Sequence, residues 1–510
     1  MKKKLTLTIV FFVALLISSV CIIASFPTEK DYQVLADEGT YFRQAQKINE
    51  QGWSGFGILA TEYAQNPSLH AYPPPIRIGY IFLVSLALKF SVSYHAISML
   101  SVLFFFLQCT ASFFFVKRHW GIMPAMVAGI LLCVSPLSMG LARRALSDPC
   151  YYLFISISIY SFIDFIRWQR RSNIIQFTVF YTISILIKES ALFLFPFFVL
   201  MMVLHKYYFK KPFKIFDLLL ITFVPIVMCI LLYFTAFGTM NKVMELTWVE
   251  FHGFLSSFYF TFIHNPDPMA HPLEYVIRYN SGPWYNYFID YFLLSPITSL
   301  LFFLYVGYYF LTKDRRSEQM NLLLMYFIYF MIVFFFIPKN VRFAQTLDLV
   351  YRICAALMIV EIFEMISKNI QLKKMVAVIL LMLIVVTDSR AFYNYFLDFD
   401  IYDPTTFNML SEEKFFFGED LVPLEQSYIG MSYYYFKKGK YEKCIDEARK
   451  AISFNPNYTV AYINICSAYN EMKDWDHAIE AGKKAVEIDP NNQLAKNNLN
   501  WAISQKQSGK

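Results

Sequence analysis

The chain has 510 residues, of which 57% are hydrophobic, 19% aromatic and only 16% charged. Soluble domains are about 45–50% apolar and about 25% charged, so this composition excludes a disordered chain and an ordinary water-soluble enzyme. A net charge of +7 in so apolar a chain is not a nucleic-acid signature. Eight cysteines, mostly inside apolar runs, are not a disulfide framework. The sequence therefore predicts a polytopic membrane protein with a polar appendage.

Apolar runs fill residues 1–391, and a helix needs about 20 apolar residues to cross a bilayer. The first run follows Lys2-Lys3-Lys4 and lacks a good cleavage site, so we expect an uncleaved signal anchor. The run 76–90 is short, follows Pro73-Pro74-Pro75 and predicts an interfacial helix. The predicted spans number about eleven and are 5–24, 95–116, 122–141, 149–166, 174–188, 190–205, 216–237, 291–311, 320–337, 345–366 and 374–390.

Charged loops orient these spans. If 76–90 does not cross, nearly every Lys and Arg cluster between spans falls on the side of the N-terminus, as the positive-inside rule requires. We therefore expect a cytoplasmic N-terminus and an extracytoplasmic C-terminal part. The short lysine-rich N-terminus and compact loops favour a bacterial inner membrane. The segments 25–75, 142–148 and 238–290 then share the outer face, where we expect the chemistry.

The polar C-terminal part contains a repeat with a period of 34 residues, which resembles the tetratricopeptide repeat. We therefore predict an all-α fold: a membrane helical bundle over 1–391, a linker over 392–423, and a short extracytoplasmic α-solenoid over 424–506. The groove of such a stack binds a peptide or protein partner, and a spacer or homotypic contact is the alternative. Matched residues are Tyr435 with Tyr469, Ala451 with Ala485, and Pro456 with Pro490.

Two cysteines lie on helices of the repeats that are expected to face one another. Cys444 and Cys466 are 22 positions apart in the chain, one in each repeat. A disulfide is open to them outside the cell, and a pair of packed thiols is equally compatible with the sequence.

Two adjacent carboxylates, Asp37 and Glu38, lie in the first outer segment. One can accept a proton from an acceptor hydroxyl or amine, while the other binds a metal or orients the partner. The alternative is structural, because acidic residues stabilise the start of a helix and a helical stretch is expected over 38–50.

A third carboxylate, Asp148, follows Arg143-Arg144 at the outer mouth of a span. Ser147 or Asp148 can simply cap that helix ahead of Pro149, but charges at the bilayer edge are costly unless they have partners. Further cations at the same depth are Arg77, Lys188 and Arg342. Because guanidinium groups bind phosphate bidentately, this set suits an anionic lipid-linked substrate.

The order and shared side of these residues resemble the class C membrane glycosyltransferases of the protein O-mannosyltransferase and lipid A aminoarabinose transferase type. The resemblance is best over residues 1–210 and fades over 211–390. The matching features are Asp37-Glu38-Gly39-x-Tyr41, the Pro-rich start of the helix at 73–79, Arg144-Ala145-Leu146-x-Asp148, Lys188 and Arg342-Phe343.

The resemblance implies an inverting transferase that moves a sugar from a polyprenyl-phosphate donor to an acceptor on the outer face. Asp37 would be the general base, Glu38 would orient the acceptor or help bind a divalent cation, and Asp148 would line the cavity. The donor phosphate would be held by Arg77, Arg144, Lys188 and Arg342. The acceptor can be a protein, lipid or glycan. A scaffold that recruits partners through its repeats, or a lipid-linked glycan transporter, is the alternative.

Overall fold

The computed structural model describes residues 2–32, 36–66, 69, 73–208, 214–249, 286–312, 317–336, 341–365, 370–398 and 424–508. Every regular element in these stretches is helical, which confirms the predicted all-α fold. The described residues up to Asp398 form one compact unit, and those from Leu424 onward form a second. Residues 250–285 of the predicted outer loop and 399–423 of the predicted linker lie outside the described stretches.

The first half of the membrane unit carries all of the residues proposed for chemistry except Arg342. Three short helices, Asp37–Gln51, Gly55–Gln65 and Ile78–Phe90, follow the first span, where the outer loop and the interfacial helix are expected. The helices are α1 Lys2–Ala24, α2 Asp37–Gln51, α3 Gly55–Gln65, α4 Ile78–Phe90, α5 Tyr94–Trp120, α6 Ile122–Cys133, α7 Pro136–Ala142, α8 Asp148–Trp168, α9 Arg171–Ile187, α10 Phe195–Tyr208 and α11 Ile215–Phe237.

The second half of this unit follows residues 250–285. It ends in a π-helical segment, Phe392–Asp398, and a short 3-10 turn, Val341–Ala344, precedes one of its helices. The helices are α12 Asn286–Leu294, α13 Pro296–Leu311, α14 Glu318–Phe336, α15 Gln345–Met365 and α16 Ile370–Ala391.

Helical segments occupy most of the described residues of each predicted span. Five helices in the described stretches are long and apolar enough to cross a bilayer: Leu5–Ala24, Tyr94–Trp120, Asp148–Trp168, Phe216–Phe237 and Met375–Leu397. The pair α6 and α7 adds a sixth if it forms one bent span. The chain is thus a multi-pass membrane protein, and the count of eleven spans stays a prediction.

The predicted span 122–141 is broken in the middle. Its two helices meet at an angle of 54°. Ser135 caps the second helix by accepting a hydrogen bond from the backbone N–H of Ser138, and Pro136 occupies the first turn, where its missing N–H costs no hydrogen bond. The second helix ends at Ala142, and the loop 143–147 that follows it leads directly to Asp148.

A buried ionic cluster ties four helix ends of this unit together. Arg352 donates to Asp348 Oδ1 at 3.0 Å and to Ser295 Oγ at 2.7 Å, and it also bonds Asp388. Ser135 donates to the second oxygen of Asp348 at 2.6 Å. The three charged side chains are at most 1% exposed. The cluster therefore fixes the first turns of α15, a helix that begins three residues after Arg342.

The C-terminal unit consists of α17 Leu424–Lys437, α18 Tyr441–Phe454, α19 Thr459–Glu471, α20 Trp475–Ile488 and α21 Gln493–Gln507. Both turns between paired helices adopt the same conformation. Gly439 has φ 67° and Lys473, 34 residues later, has φ 60°. Each is followed by a backbone hydrogen bond of 2.9 Å, to Tyr435 O and Tyr469 O respectively. The repeat predicted from the sequence is thus also a repeat of the backbone.

The two repeat cysteines are free and buried. Cys444 Sγ lies 3.3 Å from Ser432 Oγ, and the Sγ of Cys466 packs where a side chain on Gly482 would have to fit. Of the two arrangements that the sequence leaves open, the structure has packed thiols.

Removing the cation from the buried cluster should destabilise the membrane unit. In Arg352→Ala, two buried carboxylates lose their partner, which costs about 3–5 kcal/mol in the free energy of unfolding. Thermal unfolding of the detergent-solubilised protein measures the loss, with Arg171→Ala, at an exposed position, as the matched control. Equal melting temperatures for the two variants would contradict a structural role for the cluster.

Candidate active site

Helix α2 begins at the two adjacent carboxylates. Asp37 and Glu38 occupy its first turn, and the preceding Ala36 supplies no side-chain cap. Acidic residues at this end interact favourably with the helix dipole. The two acids therefore stabilise the start of α2, which is the alternative role that the sequence allowed them. Both carboxylates nevertheless reach other elements, and successive helical positions send them in different directions.

Glu38 forms a buried ion pair with Arg144. Its Oε1 accepts from Arg144 Nε at 2.9 Å and its Oε2 accepts from Arg144 Nη2 at 2.5 Å. The backbone N–H of Ala145 donates to Oε1 at 2.9 Å. Both side chains are 2% exposed, and the Arg144 guanidinium lies 5.4 Å from the ring centre of Tyr32. This pair fastens α2 to the loop 143–147.

A second connection links α2 to this loop one helical turn later. The hydroxyl of Tyr41 lies 3.0 Å from Ser147 Oγ and accepts a 2.6 Å hydrogen bond from Arg77. Burial raises the pKa of Tyr41 to about 12, with Arg77 acting in the opposite direction. The phenol is therefore neutral at physiological pH. Arg77 also forms a bidentate pair with Glu189 at 2.8 and 2.5 Å.

Asp148 stands at the start of α8 and faces two cations. Lys188 Nζ donates to its Oδ1 at 2.9 Å, and Arg342 Nη1 lies 3.8 Å from its Oδ2. The ammonium of Lys188 also lies 5.2 Å from the ring centre of Phe343, at a distance typical of a cation–π contact. Asp148 and Lys188 are 6% and 10% exposed.

Arg342 joins the two halves of the site. Its Nη1 donates to Asp37 Oδ2 at 3.1 Å and, as noted, approaches Asp148. The side chain of Asp37 is 34% exposed, against 13% for Arg342. A continuous row of alternating charges results: Asp37, Arg342, Asp148 and Lys188. Asp37 is the exposed end of this row.

The structure brings together all seven residues that the sequence singled out, and their roles stay predictions. Two of the four cations already form bidentate pairs, Arg144 with Glu38 and Arg77 with Glu189, so fewer of their N–H donors are available to a phosphate. Sequence reasoning assigned no catalytic or binding role to Tyr41, Ser147 or Glu189. A signal was present for Glu189, since Arg77 needs an anionic partner at the membrane surface.

The carboxylates of this site do not fit a divalent cation. Such ions need several free oxygen ligands, whereas both oxygens of Glu38 are hydrogen-bonded and Asp37 and Asp148 face cationic side chains. Among the residues that the structure describes, no group of three or more His, Cys, Asp or Glu side chains is arranged for a metal.

The two neighbouring carboxylates should differ sharply in their effect on stability. Glu38→Ala leaves Arg144 buried without its anionic partner and should cost about 3–5 kcal/mol. Asp37→Ala removes a partly exposed pair and should cost about 0–1 kcal/mol. Melting curves of the purified variants in detergent test this difference, and equal losses would mean that the two acids share one structural role.

Comparison with a family model identifies the C-terminal helices. Residues 425–458 and 460–492 match the model of the tetratricopeptide repeat. A search of curated proteins gave no match. The C-terminal unit is therefore built of tetratricopeptide repeats, in agreement with the predicted period.

Among solved structures, the chain is similar to ArnT from Cupriavidus metallidurans. The apo structure gives a TM-score of 0.48 at 13% identity, covering 94% of this chain and 77% of ArnT. The structure bound to undecaprenyl phosphate gives 0.47 at 12% identity, covering 98% and 78%. An identity of 12–13% does not transfer a function from ArnT to this chain. The residues of this chain form a multi-pass membrane unit with a charged site, followed by tetratricopeptide repeats.

Proposed function

We propose that the membrane unit is an inverting glycosyltransferase that uses a polyprenyl-phosphate sugar as donor and works at the extracytoplasmic face. The observation that carries this proposal is the row Asp37, Arg342, Asp148 and Lys188. It offers one partly exposed carboxylate, Asp37, beside two cations that share one buried acid, Asp148. Such a row has both the base and the phosphate ligands that direct displacement of a phosphate requires.

Asp37 is the general base in this proposal. It is 34% exposed, while Glu38 and Asp148 are 2% and 6% exposed, so of these three it best meets an incoming acceptor. The acceptor hydroxyl or amine gives its proton to the Asp37 carboxylate as its oxygen or nitrogen bonds the anomeric carbon. The bond from that carbon to the phosphate oxygen breaks, and polyprenyl phosphate leaves with the electron pair.

The cations near Asp37 stabilise the leaving phosphate. Arg342 is the nearest to the base, and Lys188 is reached through their shared partner Asp148. Arg77 supplies a third cation, which contacts Tyr41 on α2. Because charge develops on the phosphate as it leaves, cations fixed in advance stabilise the transition state more than the ground state. A separate acid catalyst is then unnecessary.

Glu38 and Arg144 serve as positioning residues. Their three hydrogen bonds hold the first turn of α2 against the loop that ends at Asp148. Asp37 is the neighbour of Glu38 in the chain, so this anchoring fixes the base relative to Asp148. Placement of reacting groups within a fraction of an ångström contributes several kcal/mol to catalysis.

The repeats have a binding role in this proposal. The charge distribution of the loops favours an extracytoplasmic C-terminus. With that orientation, the groove of the repeats and the proposed site face the same compartment. A protein acceptor, or a partner that delivers one, is the ligand that such a groove suits.

The direct test is turnover in reconstituted membranes. Purified protein with radiolabelled polyprenyl-phosphate monosaccharides and candidate acceptors should transfer or slowly hydrolyse the sugar. Asp37→Asn keeps the shape of the side chain but removes the base, so the rate should fall about 10²–10⁴-fold.

The control is Glu50→Gln, which removes one charge from an exposed position of the same helix and should retain full activity. Wild-type activity in a folded Asp37→Asn variant would overturn the assignment of the base. Retained activity there, combined with loss in Asp148→Asn, would move the base to Asp148.

A further inference from the structure

The charges of the site balance one another before any donor binds. Each of its four cations contacts an acid, and the eight charges cancel. The pairs are Arg77 with Glu189, Arg144 with Glu38, Lys188 with Asp148, and Arg342 with both Asp37 and Asp148. An anionic phosphate that enters such a site adds a net negative charge, which costs least where one acid gives up its cation to the phosphate and is itself solvated. An exchange of partners therefore favours binding.

The burial and hydrogen bonding of the four ion pairs indicate which pair separates at the lowest cost. Glu38 and Arg144 are 2% exposed and joined by two side-chain hydrogen bonds, so separating them would leave two buried charges without partners. Asp148 and Lys188 are also nearly buried. The Arg77–Glu189 pair is bidentate.

The pair Asp37–Arg342 combines a single hydrogen bond with a partly exposed acid, which none of the other three pairs does. The hydrogen bond is 3.1 Å long, and Asp37 is 34% exposed, against 27% for Glu189, 6% for Asp148 and 2% for Glu38. After separation, its carboxylate can be solvated where it stands. Arg342 would still be held by Asp148, which lies 3.8 Å away on the buried side.

We propose that the donor phosphate displaces Asp37 from Arg342, so that the base is released only when the donor is bound. This inference rests on the proposed function and adds its regulation. A carboxylate oxygen that accepts a hydrogen bond from a guanidinium is less accessible to an acceptor hydroxyl or amine than an oxygen without that partner. The exchange leaves the Asp37 carboxylate accessible at the moment when the anomeric carbon is in place, and it favours binding of donor before acceptor.

The guanidinium of Arg342 is suited to this exchange. It carries five N–H donors in one plane and binds carboxylate and phosphate with the same geometry. Lysine in its place would offer a single ammonium group to Asp37, Asp148 and the phosphate. Arg342→Lys should therefore keep the charge but lose much of the coupling between donor binding and release of the base.

A binding experiment separates this exchange from catalysis. The probe is undecaprenyl phosphate, titrated into the purified full-length chain in nanodiscs, with affinity measured for wild type, Asp37→Asn, Arg342→Gln and the double variant. If Asp37 competes with the phosphate for Arg342, Asp37→Asn should bind the lipid about two- to fivefold more tightly than wild type, the equivalent of a partly exposed ion pair. Glu50→Gln controls for the loss of one negative charge from α2.

The double variant gives the decisive comparison. Asp37→Asn should leave the affinity unchanged in the Arg342→Gln background, since no guanidinium remains to be released. An affinity of Asp37→Asn no higher than that of Glu50→Gln overturns the exchange, as does equal tightening in both backgrounds. Those results would leave the transferase proposal intact. Failure of folded wild type to bind undecaprenyl phosphate would instead overturn the donor class, and the exchange with it.

Discussion

The buried ion pair between Glu38 and Arg144 is the interaction on which the rest of the site depends. It joins a helix that begins at residue 37 to a loop more than 100 residues later, within a region that excludes water. Taking both charges out of water is costly, and only good geometry with additional hydrogen bonds compensates for it. The bidentate contact and the N–H of Ala145 provide both. Because either charge alone would be strongly unfavourable there, the pair permits a single placement of α2.

That placement explains how two adjacent acids have separate roles. Glu38 points into the protein and has both carboxylate oxygens hydrogen-bonded, whereas Asp37 lies at the exposed end of the charged row. A base at the start of a helix would otherwise move with the fraying of the first turn. With its neighbour anchored, Asp37 is held rigidly while staying accessible. The two adjacent acids together give a carboxylate that is both fixed in position and accessible. A single carboxylate, either buried or exposed, would have only one of these properties.

Much of this arrangement is predictable from sequence, but the pairing is not. Hydropathy locates the helices, the period of 34 locates the repeats, and loop charges place Asp37, Asp148, Lys188 and Arg342 on one face. Each of these signals comes either from a short segment of the chain or from a sum over many residues. The contact between Arg342 and Asp37 spans 305 positions and depends on how α15 packs in the bundle, which no local pattern encodes. The break at Ser135-Pro136 carries a local signal, a capping serine before a proline, but hydropathy alone does not reveal it, because the two flanking helices are apolar and together have the length of one span.

The second buried cluster completes the constraint from the other side of the site. Asp348, Arg352 and Asp388 fix the start of α15, and the turn that carries Arg342 directly precedes that helix. The proposed base is thus positioned from α2 and its cation from α15, each through a buried ion pair of its own. Between these two fixed points lies the contact of Asp37 with Arg342, which is more exposed than either anchor. Rigid anchors on both sides confine any rearrangement to this contact, and in the proposed exchange that confinement lets the donor phosphate control the base.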